Sequence, residues 1–385
     1  MQELPLTEGD RPVDRIGWLQ SVLREFNLRD VHVSIDGSQV VIRRVHMPLM
    51  SKAELPEAIK WQMKDQIPYP VQDAVFDFRV IRETWDKDIK KQDVLVAAGS
   101  ASLAKELLTV VERAGGRVQS LTPTQCAAWR CATALMPDVG RGSVAIVEMG
   151  STTTEVTIAK DGCLCLVRTI EVGSLSLTKA LAGVVTCERG EVTIDLSRAE
   201  SLKRRYGVLT ETADGLTDDG VPLLHLASLM RPVLEHLATE LGRLFNFYKV
   251  EMDEAGVLRV LLCGAGASLK QLQPFLAEAL GVTVELLNPL LRIPNQAQRL
   301  EPESVAENGP RLVVAAGLAI DHGEGLSVLP TEVRQTPAAM SSKKSVAASD
   351  RDVGRAGRGG LHLASSLSLF RATGDSARSK SMDEP

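Results

Sequence analysis

Apolar side chains recur at helical spacing over residues 12–28, where Val13, Ile16, Leu19, Val22, Leu23 and Phe26 share one stripe and predict a surface helix. Alternation follows in Val31–Ile35 and Val40–Val45, and Asp36-Gly37 between them reads as a hairpin turn. Ser51 and Glu54 have capping-box spacing ahead of a helix with Leu55, Ile59 and Met63 on one side, with Lys60, Lys64 and Asp65 facing water. That helix must stop at Ile67-Pro68-Tyr69-Pro70. Ala74–Ile81 and Val94–Ala98 read as strands joined by the polar stretch Glu83–Lys91. Ser102–Ala114 is an amphipathic helix stopped by Gly115-Gly116, Val118–Pro123 is extended, and Thr124–Met136 is helical. Strands and helices alternate throughout, which predicts an α/β architecture.

In the second half, Val144–Val147 runs into Glu148-Met149-Gly150 and four consecutive hydroxyl residues, Ser151, Thr152, Thr153 and Thr154. Alternation then resumes through Ala159, Asp161-Gly162 turns the chain, and Leu164–Ile170 is a third strand. Leu175–Val185 and Ile194–Gly207 read as helices. Thr210–Gly220 reads as an acidic loop, and Leu224–Tyr248 as the longest helix, with a broad apolar stripe. Val257–Leu262 is a buried strand entering Gly264-Ala265-Gly266, followed by a helix over Leu269–Leu280 and the stop Gly281. Pro310–Asp321 is a short apolar helix. Beyond residue 330 the chain is rich in Ser, Ala, Gly and Arg, a composition that predicts a disordered tail.

With 385 residues and 44% hydrophobic content, the chain can bury two subdomains or domains. A net charge of -5 argues against nonspecific nucleic-acid binding as its main role. No apolar run reaches the roughly 18 residues of a membrane span, which predicts a cytoplasmic protein. The six cysteines contain no C-x-x-C, so reduced structural thiols are expected, including Cys163 and Cys165 on one predicted strand.

Two stretches carry candidate chemistry. At the Gly150 turn, backbone N–H groups and hydroxyls can meet the oxygens of a phosphate. Gly264-Ala265-Gly266 is a second point of close backbone approach, although Leu269 stands where a dinucleotide fingerprint needs its third glycine. Glu200 and Lys203 have i, i+3 spacing, and a surface ion pair is the plain reading of that motif.

Several stretches together resemble the PilM family of type IV pilus assembly proteins, within the actin-like nucleotide-binding superfamily. They are Met47-Pro48 with the helix reaching Pro70, Glu148–Ile158 with Arg168 and Gly173, Ala199-Glu200 with Lys203 and Gly207, Gly264–Gly266 with Asn288-Pro289, and Ala315–Ala319 with Leu329-Pro330. The resemblance spans about residues 12–330. It implies an actin-like (ribonuclease H-like) two-lobed α/β fold with a small inserted α+β subdomain. The expected division is 1–42 and 99–180 in the first lobe, 43–98 as the insert, 181–330 as the second lobe and 331–385 as the tail.

The resemblance also implies ATP and Mg2+ as cofactors. Glu148, Gly150, Ser151, Thr152, Thr153 and Thr154 would form a phosphate loop, with Glu148 toward the metal. Glu200 and Lys203 would contact adenosine, and Gly264, Ala265 and Gly266 would back the base. No catalytic residue is implied. The implied role is a cytoplasmic scaffold, peripheral at the inner membrane, that holds the N-terminal cytoplasmic peptide of PilN and couples the inner-membrane complex to its motor. Self-association stays open. Alternatives within the superfold are an ATP-hydrolysing enzyme or small-molecule kinase, and the cytoplasmic platform of a type II secretion or cell-division system.

Two departures accompany the resemblance. The family opens with a strand, an Asp-x-Gly phosphate loop and a second strand, whereas this sequence starts after them, so an upstream start codon is expected. Glu148 stands where the family favours Asp, and its extra methylene moves a carboxylate by about 1.5 Å.

Overall fold

A computed structural model describes residues 7–8, 11–12, 14–35, 40–86, 89–187, 190–209, 213–251, 255–292, 301–320 and 325–333. The tail from residue 334 onward, and the expectation placed on it, lie outside the described residues. Contacts divide the chain into two units, one of Met1–Pro137 with Leu312–Pro385 and the other of Asp138–Arg311.

The first unit opens with a two-residue ladder of β1 (Thr7–Glu8) and β2 (Arg11–Pro12), then α1 (Arg15–Glu25), capped by the Asp14 carboxylate accepting from Gly17 N–H at 3.0 Å. Leu19, Val22 and Leu23 are its buried face, as the periodicity predicts. β3 (Asp30–Ile35) and β4 (Val40–Pro48) do not form the expected hairpin. β4 pairs instead with β6 (Ile89–Ser100), and β3 runs parallel to β7 (Arg117–Pro123). The local turn signal loses here to long-range pairing of apolar strands.

Residues 40–100 fold as a three-stranded antiparallel sheet in the order β4-β6-β5, with β5 spanning Ala74–Asp86 and α2 (Leu55–Met63) on one face. Val45, Met47, Leu55, Ile59, Met63, Val94 and Val96 are its core. Pro56 lies in the first turn of α2, where a missing N–H costs nothing, so the helix starts at Leu55 rather than Ser51. Ser51 N–H and Oγ both donate to the Glu54 carboxylate in the turn that precedes it, at 2.9 and 2.8 Å. The polar stretch 83–91 is not a plain connector. Its flanks extend β5 and β6, and Glu83 pairs with Lys90 across them.

On the other side of β6, Asp93 is fully buried and is shared by Arg44, His46 and Arg82. Burial alone raises its pKa. Hydrogen bonds from Arg44 and Arg82, with the charges of Arg44 and His46, outweigh that and hold it below the usual carboxylate range.

α3 (Ala101–Arg113), capped by Ser100, and α4 (Thr124–Leu135) complete this part. The helix Val313–Ile320 packs on α4 so closely that no side chain fits at Gly317, because a Cβ there would overlap the Ala127 carbonyl.

The second unit is built on a five-stranded sheet in the order β10-β9-β8-β13-β14. β8 (Ser143–Met149), β9 (Thr154–Lys160) and β10 (Cys163–Ile170) form an antiparallel meander, the three strands expected from the sequence. α5 (Ser174–Leu181) is shorter than expected, because Gly183 at φ +145° opens the hairpin of β11 (Gly183–Cys187) and β12 (Gly190–Ile194). α6 (Leu196–Tyr206) and α7 (Leu223–Glu251) follow. β13 (Arg259–Cys263), α8 (Leu272–Leu280), β14 (Thr283–Leu286) and α9 (Pro302–Asn308) complete the unit.

β8, β13 and β14 are parallel. Because β8 pairs with β13, the β8–β9 hairpin belongs to the 138–311 unit, whereas the resemblance places residues up to 180 in the first lobe. Ala145, Val147, Met149, Val156, Ile158, Val260 and Leu262 line one sheet face against α7, whose Leu226, Met230, Leu234, Leu237 and Leu241 are buried. Tyr248 is fully buried, and its hydroxyl pairs with Ser143 Oγ at 2.9 Å, so its polar tip is satisfied. All six cysteines are free thiols.

Candidate functional site

The tip between β8 and β9 is a closed turn in which Gly150 N–H donates to Thr153 O at 2.8 Å. α5 seats its first residues on that turn. Ser174 N–H donates to Gly150 O at 3.0 Å and Leu175 N–H to Ser151 O at 2.8 Å. The approach is possible only because residue 173 is glycine, since a Cβ there would lie 2.5 Å from the Ser151 carbonyl carbon. The Gly150 and Ser151 carbonyls are thus held by a helix. Among the described residues, nothing accepts from the amides of Ser151, Thr152 and Thr153. Ser151 and Thr152 are exposed and Thr153 is half-buried. Three successive N–H groups without acceptors, flanked by their own hydroxyls, suit an anion.

The parallel pairing sets Cys263 opposite Glu148, which brings the next residue, Gly264, level with the start of the turn. Gly264 has φ +91°, and a Cβ on it would be 2.5 Å from Met149 O. A Cβ on Gly266 would be 2.6 Å from Met149 Cγ. Both glycines are therefore required by close packing on β8, with Ala265 exposed between them. The helix expected from Leu269 is corrected. A 3-10 turn covers Ala265–Ser268, Gln271 adopts φ +63°, and α8 begins only at Leu272, so its N-terminus is set back from the glycine loop.

Glu200 and Lys203 are not a surface pair. Lys203 is only 5% exposed, and its ammonium donates to Glu200 Oε2 at 2.7 Å, Thr178 Oγ1 at 2.8 Å and Ser174 O at 3.0 Å. Glu200 also accepts from Arg204 at 2.8 Å and Thr178 at 2.7 Å. Burial alone raises the Glu200 pKa, but hydrogen bonds from Lys203, Arg204 and Thr178 outweigh it and hold the carboxyl at about 2. Burial pushes the Lys203 ammonium down, against the pull of Glu200.

At the far end of α6, Gly207 at φ +72° lets Val208 N–H reach Lys270 O at 2.8 Å, just past the glycine loop. The hairpin turn, α5, α6 and the glycine loop thereby close into one ring of contacts within this unit.

The structure thus brings Glu148, Gly150, Ser151, Thr152, Thr153, Gly264, Ala265 and Gly266 to one place, with Glu200 and Lys203 behind them across α5. Thr154 is the exception among the hydroxyls. It is fully buried and donates to Val172 O at 2.7 Å, so it fastens β9 rather than facing a ligand.

Three contributors were not singled out in the sequence as site residues. Ser174 and Thr178 link α5 to Lys203, and Glu155 faces Glu148 across the β8–β9 ladder as a second buried carboxylate. The signal for Glu155 was present, because strand alternation puts it on the Glu148 face.

Among the described residues no three His, Cys, Asp or Glu side chains converge on a metal position. A Mg2+ beside Glu148 and Glu155 would draw most of its ligands from phosphate and water, as is usual for this ion.

A family model described as type IV pilus assembly protein PilM matches residues 16–194 and 196–322. The chain belongs to the PilM family. Among solved structures it is similar to a PilM-PilN type IV pilus biogenesis complex, with TM-score 0.65 and 24% identity over 82% of this chain and 88% of that one. The ethanolamine utilization protein EutJ from Carboxydothermus hydrogenoformans matches with TM-score 0.36 and 20% identity over 55% of this chain and 58% of its own. MreB 5 of Spiroplasma citri bound to AMPPNP matches with TM-score 0.40 and 14% identity over 56% and 62%. For this PilM-family chain the expected mixed α/β fold holds. Among its described residues no helix is long and apolar enough to cross a membrane.

Proposed function

We propose that this chain is a nonenzymatic, nucleotide-responsive scaffold of type IV pilus assembly, binding ATP with Mg2+ in the 138–311 unit. The observation that carries the nucleotide reading is the Gly150 turn, whose Gly150 and Ser151 carbonyls are held by α5 while the amides of Ser151, Thr152 and Thr153 have no acceptor among the described residues. Such a turn is preorganised for phosphate oxygens and costs little to order on binding. Bound ATP would supply the negative charge and Mg2+ would neutralise part of it. Glu148 and Glu155 would hold the ion's water shell, and the glycine loop at 264–266 would leave room beside Met149.

The partner reading rests on family membership and on residues 43–98. A PilN-type cytoplasmic N-terminal peptide is proposed to dock on this small sheet, which carries two long edge strands, β4 and β5. Edge strands present a row of backbone groups that an extended peptide can pair with. Through that peptide the chain would sit at the inner membrane and link the complex to its motor.

Calorimetric titration with MgATP, and separately with a labelled PilN N-terminal peptide, tests the two halves. Saturable binding of both is the expected result. A folded chain that takes the peptide but no nucleotide would remove ATP from the proposal, and failure to bind the peptide would remove the partner.

A further inference from the structure

Lys203 lies one helix away from the anion turn. An ammonium has three protons, and here three acceptors take them: Glu200 Oε2, Thr178 Oγ1 and Ser174 O. A ligand atom reaching Lys203 would have to displace one of these in a setting that is 5% exposed. Two of the three acceptors belong to α5, and the amides of its residues Ser174 and Leu175 hold the carbonyls of Gly150 and Ser151. The bonds therefore run without a gap from Lys203 to α5 and from α5 to the turn.

We infer that Lys203 is a positioning residue for the anion turn. It fixes the start of α5 and, through it, the amides of Ser151, Thr152 and Thr153, without touching the ligand. The inference rests on the proposed phosphate binding at that turn and departs from the resemblance, which sets Lys203 on adenosine. The two roles differ in what they act on. A contact with adenosine matters only to ligands that contain adenosine, whereas positioning the turn matters to any polyphosphate.

Lys203→Met removes the charge, keeps most of the stem and leaves Glu200 paired with Arg204. Its binding of MgATP and of magnesium inorganic triphosphate is compared with that of the wild-type chain by calorimetry, and amide hydrogen exchange is followed without ligand. Both affinities are expected to fall by the same factor, about tenfold, within the usual range of coupling between sites. The Ser174 and Leu175 amides are expected to exchange faster. Thr178→Val, which removes one acceptor at nearly constant volume, should weaken both ligands equally by a smaller factor, and it carries the test if Lys203→Met does not fold.

Loss of ATP affinity alone, with triphosphate binding and exchange unchanged, would place Lys203 on adenosine and overturn this inference while the nucleotide reading stood. A wild-type chain that binds neither ligand would overturn both.

Discussion

Gly173→Ala probes the joint between α5 and the anion turn. The added methyl would lie 2.5 Å from the Ser151 carbonyl carbon and 2.6 Å from the Thr152 carbonyl carbon, both backbone atoms that cannot rotate away. Relief requires the turn and α5 to separate by about 1 Å, since non-bonded carbons rest about 3.5 Å or more apart. That separation carries the bonds from Ser174 N–H and Leu175 N–H, now 3.0 and 2.8 Å, past hydrogen-bonding range. Two such bonds are worth about 1 kcal/mol each, and overpacking adds about 1 kcal/mol or more, so about 3 kcal/mol is expected in total. For a unit of this size the melting temperature falls by about 2–4 °C per kcal/mol, or about 6–12 °C here. Differential scanning calorimetry measures the shift, and MgATP titration of the same sample should show affinity reduced by about tenfold or more. An unchanged melting temperature would refute the packing argument. A lowered one with unchanged ATP affinity would show that the turn is structural and binds nothing.

Gly242→Ala is the opposite case. This glycine is inside α7, and a methyl added to it would meet nothing within 4 Å, so the substitution should stabilise by about 0.5–1 kcal/mol, read as a rise in melting temperature. Asp93→Ala should destabilise the 43–98 sheet by about 3 kcal/mol in urea unfolding, because it leaves Arg44 largely buried without its carboxylate. The Glu200 carboxyl, held at about 2 against an ordinary 4.5, contributes stability that is complete above pH 4.5 and is lost as pH falls toward 2. Glu200→Gln should therefore flatten the pH dependence of unfolding in that window, and an unchanged slope would contradict the assignment.

Much of the fold was legible because its signals are local. Helical stripes such as Leu19, Val22 and Leu23, and the strand-turn-strand pattern around Gly150, need only near neighbours in sequence, and both appear where expected. Two misreadings share one cause. Asp36-Gly37 satisfies every rule for a hairpin turn, yet β4 finds a better partner in β6 and β3 in β7, choices made by residues about 40 to 90 positions away. The polar stretch after residue 82 carries no apolar alternation. Its residues 83–86 and 89–91 are extended because they continue the pairing of β5 with β6, whose apolar part is Phe76–Val80 against Val94–Ala98, and register propagates outward from there.

The site divides along the same line. A glycine followed by hydroxyl residues after an apolar strand signals a turn with free donors, and close packing explains why Gly173, Gly264 and Gly266 must lack a Cβ. Nothing in the spacing of Glu200 and Lys203 separates a solvated ion pair from a buried one, because i, i+3 geometry is the same in both. The difference comes from α5, which covers Lys203 with Ser174 and Thr178 and becomes dependent on it in return. A lysine in an exposed pair can be replaced at little cost. One that is itself buried and supplies all three protons to neighbouring acceptors cannot, and here two of those acceptors sit on the helix that shapes the anion turn. Burial thus converts an ordinary pair into a control point for the site, by a route that only the tertiary structure reveals.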